Sequence, residues 1–159
     1  MSGLVRVGDL APDFELPDQD ETTVRLSRLL GAGPVVLFFY PLAMSRGCTA
    51  ETCHFRDLAA EFEAAGATRV GISRDTVARQ RRFDAEHHLG YRLLSDADGT
   101  VASAYGVHRN IPGLPPRRST FVIGSDRRVL GVIRNELRMA AHADEALRIL
   151  AAVGPQPPG

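Results

Sequence analysis

Apolar residues bracket the polar segment Asp18-Gln19-Asp20-Glu21, with Phe14 to Leu16 before it and Thr22 to Leu26 after it. That pattern predicts an N-terminal β-hairpin. Val35 to Tyr40 is apolar throughout, as in a central strand covered on both faces. From Thr49 the period changes. Cys53, Phe55, Leu58, Ala59 and Phe62 fall on a helical repeat, which predicts a helix that stops near Gly66. Arg69 to Ser73 reads as a short strand. Thr76 can cap a second helix carrying Val77, Phe83 and Leu89 and ended by Gly90. Tyr91 to Leu94 is another strand, and the turn Asp96-Ala97-Asp98-Gly99 leads to a short helix reaching Tyr105. Thr120 to Ile123 and Val129 to Ile133 flank a polar Gly124–Arg128 segment, a second hairpin, and Asp144 to Ala152 makes the closing helix. Helices between strands, together with two hairpins, imply an α/β fold: a mixed central sheet with helices on both faces.

Length and charge narrow the function classes. At 159 residues the chain fits one domain that needs no disulfide framework. We expect the domain over 1–153 and a flexible tail over 154–159, where Pro and Gly dominate. Nineteen basic residues balance nineteen acidic ones, which argues against a nucleic-acid or membrane-surface protein held by net charge. The longest strongly apolar run, Pro34 to Pro41, falls far short of the ~20 residues of a membrane-spanning helix. Met1 to Asp9 has no apolar stretch after a basic start, so no secretory leader is expected there. The two cysteines, Cys48 and Cys53, stand close together, which suits redox-active thiols in a cytoplasmic protein better than a stapled secreted fold.

The chemistry concentrates in Tyr40-Pro41-Leu42-Ala43-Met44-Ser45-Arg46-Gly47-Cys48-Thr49-Ala50-Glu51-Thr52-Cys53. A buried strand ends, a short loop follows, and Cys48 stands where a helix begins. Free N–H groups and the dipole at a helix N-terminus favour a thiolate. Ser45, three residues earlier, can turn its hydroxyl toward the sulfur, and Arg46 adds a cation. Lowering a thiol pKa from ~8.5 to about 6 raises the thiolate fraction at neutral pH at most ~30-fold. A fast cysteine enzyme therefore also needs donors that orient the substrate and stabilise developing charge.

Five residues along an ideal helix amount to a rise of ~7.5 Å and a rotation of ~140°. The Cα atoms of Cys48 and Cys53 then lie beyond the ~7 Å limit for bridging, so a disulfide between them requires the helix start to unwind. Spacing alone leaves inert buried thiols open as the alternative. A zinc site is disfavoured because only His54 is a local further ligand.

Pro41-x-x-x-Ser45-x-x-Cys48 resembles the Pro-x-x-x-Thr/Ser-x-x-Cys motif of peroxiredoxins. Its extension Gly47-Cys48-Thr49-x-Glu51-x-Cys53-x-Phe55-Arg56-Asp57 is similar to the bacterioferritin comigratory protein (Q-type) branch. Gly8-Asp9-x-Ala11-Pro12-Asp13-Phe14, Leu93-Leu94-Ser95-Asp96, Tyr105-Gly106-Val107 and Arg118-Ser119-Thr120-Phe121-Val122-Ile123 extend the likeness from about Val7 to Leu150. The resemblance implies a thioredoxin-like fold and a thiol peroxidase without cofactor or metal, acting on hydrogen peroxide and organic hydroperoxides in antioxidant defence. Carried over by position, Cys48 is the peroxidatic nucleophile and Cys53 resolves its sulfenic acid as a disulfide. Ser45 and the Cys48 N–H hold the peroxide, Arg118 stabilises the thiolate and the developing charge, and Pro41 shields the site. The implied reductant is thioredoxin or a similar dithiol, and the implied assembly is a monomer or weak homodimer.

This chain departs from the branch at Arg46, where the family carries Pro. Strand alternation sends Arg117 and Arg118 to opposite faces, and the spacing to Phe121 selects Arg118. Glu51 is similar to a family glutamate that partners an arginine, the alternative being a solvated first-turn carboxylate; Arg56 is a candidate for that arginine or a surface residue, and Thr49 can help cap the helix. His87, His88 and His108 read as surface or packing residues, Phe39 and Tyr40 as core, and Arg79-Gln80-Arg81-Arg82 as a solvated helix face. Two other readings of the cysteine pair are a general thiol-disulfide oxidoreductase, against which the missing Cys-x-x-Cys counts, and a non-enzymatic redox sensor.

Overall fold

The computed structural model describes residues 3–109, 111 and 114–157. Leu16 faces Val24 in an antiparallel hairpin of β1 (Glu15–Pro17) and β2 (Thr23–Arg25), as the polar Asp18–Glu21 segment predicts. A short helix α1 (Leu26–Leu29) and a 3-10 turn (Leu30–Ala32) follow. Neither is legible from the pattern, since four residues are too few for a helical period to declare itself.

The apolar run becomes β3 (Val35–Phe39), the centre of a five-stranded sheet of order β5-β4-β3-β6-β7. Its neighbours β4 (Thr68–Ser73) and β6 (Ser119–Ile123) run parallel and antiparallel to it. The edges are β5 (Arg92–Ser95), parallel to β4, and β7 (Val129–Arg134), antiparallel to β6. Alternation along β3 divides the core. Val35, Leu37 and Phe39 pack under the hairpin, α1 and α5 (Thr100–Ala104). Val36, Phe38 and Tyr40 pack under α2 (Arg46–Asp57), α3 (Ala59–Ala64), α4 (Val77–His87) and α6 (Ala140–Val153). Helices thus cover both faces of a mixed sheet.

Three element boundaries differ from the expected ones. The single helix expected to run to Gly66 is two, broken at Leu58, whose φ of −96° and ψ of 22° leave the helical region. The second helix closes at His87 and not at Gly90, because His88 takes the left-handed conformation and donates its N–H to the Asp84 carbonyl (2.6 Å). The closing helix starts at Ala140, four residues before Asp144, and so includes His142. That helix ends at Val153, and Pro158 and Gly159 of the expected tail lie outside the described residues.

Close packing seats α2 on the sheet. The rings of Phe38 and Phe55 stack with centroids 4.1 Å apart, and Phe55 stacks in turn on Phe62. Burying each ring contributes roughly 1.5–3 kcal/mol. Gly71 of β4 makes room, since a Cβ there would come within about 3.1 Å of Leu93, Phe38 and Tyr40.

Candidate active site

The candidate residues collect at the C-terminal ends of the parallel strands β3 and β4, where open α/β sheets bind ligands. Leaving β3, the chain passes Tyr40 and Pro41 and turns through 42–45 before α2 begins. Met44 takes a left-handed φ of 68° in that turn. Ser45 is the N-cap residue, and the helix starts at Arg46 rather than at Cys48 or Thr49. The first intrahelical bond runs from Thr49 N–H to the Ser45 carbonyl (2.9 Å). The N–H groups of Arg46, Gly47 and Cys48 therefore precede the helical ladder and point out of its N-terminus.

Cys48 is fully buried, and both cysteines are free thiols. Two donors from different parts of the chain converge on the Cys48 sulfur. The Leu42 N–H and the Arg118 Nη2 each lie 3.5 Å from Sγ. The Phe39–Ser119 register of β3 and β6 brings Arg118, one residue further, level with Tyr40 at the mouth of the loop. Arg117 is exposed while Arg118 is 7 % exposed, as alternation requires. Its guanidinium passes over Gly47, where a Cβ would stand 3.4 Å from Nη2 and 3.6 Å from the Met139 sulfur.

Behind Arg118 lies a buried polar cluster. Glu51 Oε1 accepts from Arg118 Nη1 at 2.5 Å, and Oε2 lies 3.6 Å from His142 Nδ1. The arginine partner of Glu51 is therefore Arg118; Arg56 instead donates to the His87 carbonyl and to Asp57. Burial pushes the Glu51 carboxyl up to about 8 against the pull of Arg118. Burial alone would lower Arg118, but Glu51 and Cys48 beside it outweigh that and hold it above its ordinary range. His142 Nε2 sits 2.8 Å from the Asn135 carbonyl and must be its donor, so Nδ1 accepts from the Thr120 hydroxyl at 2.7 Å. Burial lowers the pKa of the imidazole.

His142 and Met139 stand outside the motif that marks the other site residues. A usable signal existed for the first: His142, Ala146 and Leu150 are spaced four apart on the buried stripe of α6. Met139 carried none.

Ser45 Oγ donates to the Leu42 carbonyl (2.8 Å) and not to the sulfur. That bond leaves its lone pairs free to accept. Pro41 and Leu42 border a groove shared with Arg74, Asp75, Ala97 and Pro115. Cys53 is half-buried in α2, and burial raises its thiol despite Arg56 nearby. No break interrupts α2 between the two cysteines. Tyr91 donates to the Thr52 carbonyl (2.7 Å) and Thr52 Oγ1 to the Cys48 carbonyl (2.8 Å). Arg46 is exposed, Thr49 lies inside the helix, and Phe39 and Tyr40 are core.

Residues 7–132 match the AhpC/TSA family model. The chain belongs to the AhpC/TSA family of peroxiredoxins. A putative peroxiredoxin of Mycobacterium tuberculosis is 56% identical over 94% of this chain and 98% of its own. A rice chloroplastic peroxiredoxin Q is 38% identical over 95% of this chain and 69% of its own. The crystal structure of peroxidoxin BcpB from M. tuberculosis superposes with a TM-score of 0.91 at 56% identity, covering 94% of this chain and 99% of that one. The peroxiredoxin is therefore a thiol peroxidase of thioredoxin-like fold, in a family that reduces peroxides with thioredoxin-type reductants. Among the described residues no helix is long and apolar enough to cross a membrane, and no group of three His, Cys, Asp or Glu side chains could hold a metal ion.

Proposed function

We propose that Cys48 is the peroxidatic nucleophile and that Cys53 resolves it. The observation that carries this reading is the convergence of the Leu42 N–H and the Arg118 guanidinium on one buried sulfur at a helix start. Two donors of that kind match an anionic sulfur and the negative charge that develops as a peroxide bond breaks. The Cys48 thiolate attacks one peroxide oxygen, the S–O bond forms as the O–O bond breaks, and the departing alkoxide or hydroxide takes a proton from water. Cys48 is then a sulfenic acid. The lone pairs of Ser45 Oγ accept from the peroxide O–H, the Cys48 N–H donates to it, and Pro41 keeps water from the site.

Cys53 displaces the hydroxyl of the sulfenic acid as water and closes a Cys48–Cys53 disulfide. A thioredoxin-type dithiol then supplies two electrons by exchange and restores both thiols. The substrate range covers hydrogen peroxide and organic hydroperoxides. The chain works as a monomer or weak homodimer, and the free thiols fit a cytoplasmic site. Rapid mixing of reduced protein with one equivalent of hydrogen peroxide, followed by intact mass and peptide mapping, tests the cycle. Loss of two hydrogens with a Cys48–Cys53 link within seconds is expected; unchanged thiols would overturn it.

A further inference from the structure

The loop that presents the Leu42 N–H is short, and its left-handed Met44 is a conformation that residues other than glycine rarely hold unaided. Something outside the loop must keep it in place. Inside the turn, the Leu42 carbonyl accepts from Ser45 N–H and Ser45 Oγ, which closes its far end. Ala43, between them, is held from elsewhere. Its N–H donates to Asp75 Oδ2 (2.8 Å), and its carbonyl accepts from Arg79 Nη2 (3.1 Å). Arg79 Nε donates to Asp75 Oδ1 (2.9 Å). One ion pair thus grips both polar groups of a single loop residue, next to the residue whose N–H faces the sulfur.

The anchor of that grip is stiff. Asp75 is buried, its Oδ2 also accepts from Ser73 Oγ (2.7 Å), and its own carbonyl accepts from Ser95 Oγ (2.6 Å). Gln80, fully buried, donates to Ser73 Oγ (2.9 Å) and to the Leu94 carbonyl (2.8 Å), and accepts from the Tyr40 hydroxyl. Thr76 Oγ1 caps α4 through the Arg79 N–H. The stretch Arg79-Gln80-Arg81-Arg82 is therefore no uniform solvated face: Arg79 reaches the loop, Gln80 is core, Arg81 holds the Gln19 carbonyl (2.9 Å), and only Arg82 pairs wholly at the surface, with Glu86.

We infer that the Asp75–Arg79 pair is a positioning clamp for the peroxide-binding loop, holding Ala43 so that the Leu42 N–H stays aimed at Cys48. The inference rests on the peroxidatic assignment of Cys48. The clamp touches neither peroxide nor sulfur. Its effect is on geometry, where displacement of a group by about 1 Å can lower a rate ~100-fold.

The test compares two reactions of Cys48 in Arg79→Ala. The Arg79 side chain is 45% exposed, so its loss leaves the core filled. Oxidation by hydrogen peroxide, followed by stopped flow, is expected to slow by about 10- to 100-fold. Alkylation by iodoacetamide, which needs the sulfur but not the peroxide geometry, is expected to hold or to quicken as the loop opens.

Rescue supplies the second arm. Arg46 is the first residue of α2, where proline is favoured, and Ser45 before it already has φ −72° and ψ 157°, the extended conformation that a following proline imposes. Arg46→Pro should therefore stiffen the same loop from its other end. Measured against the Arg46→Pro single variant, the double variant should recover roughly tenfold of what Arg79→Ala loses at the 100-fold limit. Peroxide oxidation of Arg79→Ala at the parent rate would overturn the clamp, and so would parallel loss of oxidation and alkylation that Arg46→Pro does not restore. A parent whose Cys48 does not react with peroxide at all would instead sink the peroxidatic assignment.

Discussion

Two cysteines of the same helix, five residues apart, sit in opposite surroundings. Cys48, in the first turn of α2, is fully buried, with a backbone N–H and a guanidinium both aimed at its sulfur. Cys53, in the second half, is half-buried, and burial pushes its thiol up. The helix supplies the same backbone to both. What separates them is position: only the first turn has open N–H groups, and only that end meets the β3 loop and Arg118. That difference is what the proposed division of roles rests on: attack by one sulfur, with the other a thiol until the first has been oxidised.

Exchanging each sulfur for oxygen is the harshest way to break the comparison. Cys48→Ser is expected to abolish peroxide turnover. Cys53→Ser should keep the first oxidation at the parent rate and stop after one turnover, with a sulfenic acid trapped on Cys48. Single-turnover mass spectrometry distinguishes the two, and equal loss of the first step in both would end the division of roles. Removing the donor that Cys53 lacks comes next. Arg118→Ala should slow Cys48 oxidation by about 100- to 1000-fold, read by stopped flow; near-normal oxidation would take Arg118 out of the site.

The buried carboxyl behind Arg118 gives a pH-dependent test. The ordinary carboxyl value of 4.5 rises to about 8 in the folded protein because burial penalises the charge. Between those limits the native state holds a proton that the unfolded chain has released. The Glu51 contribution to stability is therefore fully present below about 4.5 and is lost as pH rises toward 8. Glutamine does not titrate. Glu51→Gln should gain on the parent between about pH 5 and pH 8 by on the order of a few kcal/mol, measured as denaturation midpoints; a constant difference across that range would contradict the shift.

The smallest effect sharpens the link between the two sulfurs. Closing the disulfide requires α2 to unwind, and the Tyr91 hydroxyl ties the Thr52 carbonyl midway. Tyr91→Phe removes that tie at a cost of about 1 kcal/mol. Disulfide formation should quicken by about fivefold, with the first oxidation unchanged. No change in the second step would mean that the unwinding bypasses Thr52.

Much of the fold is legible in the sequence. The continuous apolar stretch expected as a central strand over Val35–Tyr40 is β3, and the expected runs Thr120–Ile123 and Val129–Ile133 pair as the antiparallel β6 and β7. The order of residues placed a cysteine near a helix start behind a serine, and alternation separated Arg118 from Arg117. Where the reading slipped, a local cause explains it. A single non-helical residue, Leu58, splits a helix without disturbing its apolar period. The His142 turn of α6 is hidden from the apolar pattern because histidine does not register as apolar, though the fold buries it completely.

Periodicity and residue type are local properties, so the strands, the longer helices and the cysteine pair can be read from neighbouring residues. What meets the sulfur cannot. Arg118 is seventy residues from Cys48 and arrives through the antiparallel register of β6 on β3. Arg79 leaves a helix face that looks solvated and grips a loop thirty-six residues away. Ser45, the nearest candidate in sequence, bonds to its own loop instead. Contacts of that kind depend on how strands pair and helices pack across the whole chain, and no window of neighbouring residues contains them.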